Sequence, residues 1–82
     1  MTTSRIEINA QVMMGKPVIR GTRITVEFIL NKLGEGATER ELLEDYPHLT
    51  PEDVRAAIAY GAASVALEEV VLLADATDRG KS

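Results

Sequence analysis

Three helix starts crowd into residues 25–50, which leaves this chain little choice but a small helical domain. Thr25 precedes Val26, Ile29, Leu30 and Leu33, whose i, i+3, i+4, i+7 spacing marks one face of a helix. Gly34 and Gly36 stop it, because glycine is costly in a helix interior and suits the left-handed position beyond the last turn. Thr38-Glu39-Arg40-Glu41 reads as a capping box, in which the Thr38 oxygen accepts from the Glu41 amide while the Glu41 carboxylate reaches back. The helix it opens, over 38–46, presents Leu42, Leu43 and Tyr46 and must end before Pro47. Thr50-Pro51-Glu52-Asp53 opens a third helix, with Thr50 as N-cap, Pro51 at N1 and two acids at the positive end of the helix dipole. Leu49 and Val54 occupy the two positions of a hydrophobic staple.

That third helix has no stop signal until Asp75 or Gly80, apart from Gly61 within it. Running from 51 to 74 it would be about 36 Å long, more than so short a chain can cover. One stripe, Val54, Ala57, Ile58, Gly61 and Val65, suits packing on the first two helices. A second, Ala59, Ala63, Ala66, Val70 and Leu73, with Tyr60, Leu67 and Val71 beside it, needs another surface. The chain has 82 residues and no cysteine, so neither disulfides nor a Cys/His metal cluster staple it. A chain of this size buries only about 60% of its unfolded surface, and association with another chain is the remaining common stabiliser. The expectation is a homodimer or higher homo-oligomer joined through the second stripe.

Ahead of Thr25 the pattern is extended. Ile6, Ile8 and Val12 alternate with polar neighbours, the period of a half-buried strand. Met14-Gly15-Lys16-Pro17 reads as a turn, Val18-Ile19 as a short strand, Arg20-Gly21-Thr22 as a second turn and Arg23-Ile24-Thr25 as an extended exit. A small hairpin or two-turn β unit results, its register not readable. The fold class is therefore mainly α with a short N-terminal β-hairpin, a trihelical (winged) helix–turn–helix-like domain with a long C-terminal helix. It forms one domain over 1–82: a β element at 5–25, a helical part at 26–74 and a flexible polar tail at 75–82.

The charge is unevenly placed. Nine basic residues against 13 acids give a net of -4. Residues 1–25 carry Arg5, Lys16, Arg20 and Arg23 against Glu7 alone, whereas 26–82 carry five bases against twelve acids. A basic head thus precedes an acidic body. The acidic total argues against indiscriminate electrostatic binding of nucleic acid. The longest uncharged apolar run, Ala56 to Leu67, is short of the roughly 20 residues that a membrane span needs. No apolar h-region follows Met1, so no secretory signal is expected, and the absence of cysteine fits a reducing cytoplasm.

Catalytic patterns are missing. Gly15-Lys16 is no phosphate loop, because Ala10 and Pro17 stand where that motif needs glycine and a hydroxyl residue. His48 is the only histidine and sits in a turn without a nucleophile or metal partner in sight. The acidic pairs Glu44/Asp45, Glu52/Asp53 and Glu68/Glu69 fit helix starts and solvated faces better than general acid–base work. The chain is not expected to be an enzyme, nor to use a cofactor or a metal.

Lys16, Arg20 and Arg23 say more. Three cations within eight residues, on turns, suit phosphates or an acidic protein surface, although a solvated hairpin with an internal ion pair would look the same. The second and third helices, joined across a Pro-containing turn, also have helix–turn–helix spacing, in which the later helix reads bases through its first residues. Here these are Glu52, Asp53, Arg55 and Ala56. Two acids are unfavourable near phosphates, although an acid can accept from a cytosine amine, and trihelical domains also serve as plain packing units.

Two separated strings complete the picture. Gly15-Lys16-Pro17-Val18-Ile19-Arg20-Gly21-Thr22-Arg23-Ile24-Thr25-Val26 is followed, in order, by Tyr46-Pro47-His48-Leu49-Thr50, Asp53-Val54, Ala56-Ala57 and Tyr60. Together, over about residues 5–65, they resemble a small prokaryotic family known as domain of unknown function 433. The resemblance implies a trihelical or winged helix–turn–helix domain after a short β element. It also implies an antitoxin role in a type II toxin–antitoxin pair, beside a PIN-like ribonuclease toxin, with repression of the pair's own operon. The site residues rest on the charge pattern instead. Lys16, Arg20, Arg23 and Arg55 are the candidates for contact with DNA or toxin, and Ala59, Ala63, Ala66, Val70 and Leu73 for the dimer interface. The alternative is a homo-oligomerising interaction module that binds no nucleic acid.

Overall fold

A computed structural model describes the backbone of residues 5–76, and side chains through Leu67. Five elements follow one another: β1 (Ile6–Glu7), β2 (Val18–Ile19), α1 (Val26–Gly34), α2 (Glu39–Asp45) and α3 (Pro51–Ala76). The mainly helical architecture with a small antiparallel β unit in front matches the sequence reading. β1 pairs with β2 in register Ile6↔Ile19 and Glu7↔Val18. On its other side β2 meets the exit strand through an isolated Val18↔Thr25 bridge. β2 is thus the centre of the unit, which is why Val18 and Ile19 are both buried.

The alternation at Ile6 and Ile8 does not extend as a strand. Ile6 is buried but Ile8 is 61% exposed. The cause is local: the Asn9 side chain accepts from the Gln11 amide at 2.9 Å, and the Asn9 carbonyl accepts from Val12 N–H at 2.8 Å. This asparagine turn gives the backbone an alternative to a ladder, and β1 ends before it. The connection back to β2 includes a single 3-10 turn at Met13–Gly15, with φ of 48°, 58° and 83° at its three residues. Glycine adopts such angles without cost; Met13 and Met14 do so under strain.

All three helices begin as their N-caps dictate. The Thr25 hydroxyl, itself buried, accepts from Phe28 N–H at 2.9 Å. Thr38 and Glu41 complete the capping box reciprocally, at 3.1 and 2.8 Å. Thr50 accepts from Asp53 N–H at 3.1 Å, while the Asp53 carboxylate accepts from Thr50 N–H at 3.1 Å. The third helix therefore also opens with a capping box, built on aspartate rather than the usual glutamate.

The core gathers Ile6 and Ile19 from the β unit, Val26 and Ile29 from α1, Leu42 from α2, and Leu49, Val54, Ala56 and Ala57 around the start of α3. Phe28 and Tyr46 join α1 to the end of α2 edge-to-face, with ring centroids 5.3 Å apart. Packing on α3 stops near Gly61, where an added Cβ would lie 2.7 Å from Leu30 Cδ1. Past that crossing the first apolar stripe loses its cover. Val54 and Ala57 are buried as expected, but Ile58 and Val65 are 45% and 54% exposed. With α1 ending at Gly34 and α2 only seven residues long, cover from the other helices gives out before the end of α3. α3 itself reaches Ala76, past the expected end at 74, so Asp75 and Ala76 belong to the helix rather than the tail; the rest of the expected tail, 77–82, lies outside the described residues.

A part-buried ion pair fastens the β unit to α3. Arg5 Nη1 lies 3.0 Å from Asp53 Oδ1, with the aspartate side chain 9% exposed. Asp53→Ala would remove this pair and half of the α3 capping box together. We expect a loss of about 2–3 kcal/mol in a urea titration, against about 1 kcal/mol for Thr38→Ala at the exposed α2 box. Equal losses would show that the ion pair contributes nothing beyond the cap.

Candidate functional site

The second turn of the β unit is closely specified by hydrogen bonds. Ile19 N–H donates to the Ile24 carbonyl at 2.9 Å, closing the hairpin. Inside it the Ile19 carbonyl accepts from both Thr22 N–H and the Thr22 hydroxyl, at 2.9 and 2.8 Å. Ile24 N–H donates to the same hydroxyl at 3.0 Å. Gly21 takes φ of +82°, a conformation L side chains rarely adopt, so glycine is the natural residue there. Two exposed arginines, Arg20 and Arg23, stand on this turn.

Arg5 connects the turn to α3. The Arg5 carbonyl accepts from Arg20 N–H at 2.8 Å, and the Arg5 guanidinium holds Asp53 in the first turn of α3. Arg5 was not among the expected site residues, although it was counted in the basic head. An aspartate at the N3 position of α3 was the available signal, since it satisfies one backbone donor and still has a lone pair for a cation.

The four predicted contact cations do not share one environment. Arg20 and Arg23 belong to the same turn. Lys16 lies 3.0 Å from Glu27 at the start of α1, in a pair whose side chains are more than half exposed. Such a pair contributes little to stability, but it ties the lysine to the helix start. Arg55 is exposed on α3, two residues past Asp53 and therefore on a different face of the helix. Of the two acids that weighed against groove reading, only Glu52 is exposed; Asp53 is turned inward and paired.

The predicted dimer stripe divides. Ala59 and Ala63 line a shallow apolar groove with Ile6, Tyr60 and Leu67. Ala66 lines a second groove on the other side of α3, with Leu30, Ile58, Gly61, Ala62 and Val65. The side chains of Val70 and Leu73 lie outside the described residues. Tyr60 and Leu67, treated in the sequence as neighbours of the stripe, belong to the first groove itself. The difference arises because the apolar residues of α3 are spread over more than one face, so periodicity alone does not choose between them. Among the described residues no cluster of His, Cys, Asp or Glu is placed to hold a metal ion, and no helix is long and apolar enough to cross a membrane. His48 is exposed in the α2–α3 turn.

Comparison with known proteins agrees with this architecture. No curated protein matches the chain. Among solved structures, the crystal structure of a DUF433 member protein from Anabaena variabilis is similar, with 43% sequence identity and a TM-score of 0.67. The similarity covers 68% of this chain and 55% of that one, so the chain spans just over half the length of this relative. The family described as Protein of unknown function (DUF433) matches residues 6–61, from β1 to the point where α3 leaves α1. On that match over most of its length, the chain belongs to the DUF433 family.

Proposed function

We propose that this chain is an antitoxin-like protein of a type II toxin–antitoxin pair, which binds a PIN-like ribonuclease toxin and, as a dimer, its own operator DNA. The observation that carries this reading is the basic turn. Arg20 and Arg23 stand exposed on a loop whose backbone is held by four hydrogen bonds within residues 19–24. A backbone held in place beneath two arginines lowers the entropy lost on binding. Guanidinium forks match carboxylates and phosphates alike, so one turn suits both the acidic metal-binding site of a nuclease and a DNA backbone. Lys16, paired with Glu27, and Arg55, exposed on α3, are the remaining candidate cations.

The inward orientation of Asp53 favours this reading, because it withdraws one acid from the surface that α3 would offer to a groove. The exposed Glu52 and the net charge of -4 favour the second reading, a homo-oligomerising module that binds protein alone. Co-expression with the product of the adjacent gene, followed by purification and a gel shift on the chain's own promoter, separates the two. The first reading expects a co-purifying toxin, relief of its ribonuclease activity and a shifted promoter fragment. A stable complex without any shift removes the operator-binding part of the first reading, and neither complex nor shift overturns that reading. For the phosphate contacts, Arg23→Ala is expected to weaken promoter binding and reduce the slope of log affinity against log salt by about one for each Arg23 that contacts the DNA. An unchanged slope would place the DNA elsewhere on the surface.

A further inference from the structure

We draw no further inference here: the strongest candidate, the apolar groove along α3 lined by Ile6, Ala59, Tyr60, Ala63 and Leu67, carries none because nothing in the structure shows what covers it.

Discussion

The contact between Arg5 and Asp53 is the joint on which the domain turns. Asp53 meets two demands with its carboxylate and a third with its backbone amide. Its Oδ2 accepts the Thr50 amide, its Oδ1 takes the Arg5 guanidinium, and its own N–H is capped by the Thr50 hydroxyl. A buried carboxylate is costly unless its lone pairs are filled, and these are filled from both sides. The start of α3 is thereby fixed against the first residue of the β unit, 48 positions away. Because the Arg5 carbonyl also holds the Arg20 amide, the position of the basic turn over α3 follows from the same joint.

Local chemistry made the helices legible in the sequence. Thr25, Thr38 and Thr50 act as N-caps where their side chains announce it, and Gly36, left-handed just past the last helical residue Gly34, closes the end of α1. These signals need only a few neighbouring residues to operate, so reading them does not require knowledge of the fold. The β unit was less legible for the opposite reason. Its strands are two residues long, and their pairing is set by contacts such as Ile6↔Ile19 that span the intervening loop. Ile8 carries the right residue type at the right spacing, but the Asn9 turn removes the ladder that would have buried it.

The candidate site was legible in part. A basic head on an acidic body describes the sequence, yet folding joins the two. Arg5 and Lys16 from the head pair with Asp53 and Glu27 from the body. Arg20 and Arg23 stand exposed on one turn, a narrower feature than the four cations suggested. The apolar face of α3 was the least legible, because apolar residues spread over more than one side of a helix give no periodic signal to rank its faces. Only the ends of α1 and α2, and the placement of Ile6, separate one groove from the other.

The left-handed turn at Met13–Gly15 has a consequence for how this small domain divides its stability. Two successive methionines at positive φ cost on the order of 1–2 kcal/mol each, in a chain whose whole folding free energy is of the order of 5–10 kcal/mol. Met14 is 93% exposed, so its side chain returns nothing to the core in compensation. Glycine or asparagine would hold the same backbone with less strain. The connection between β1 and β2 is therefore a spring kept wound by the elements on either side of it. Whatever loosens the Arg5–Asp53 joint releases β1, and the spring relaxes in the direction of unfolding.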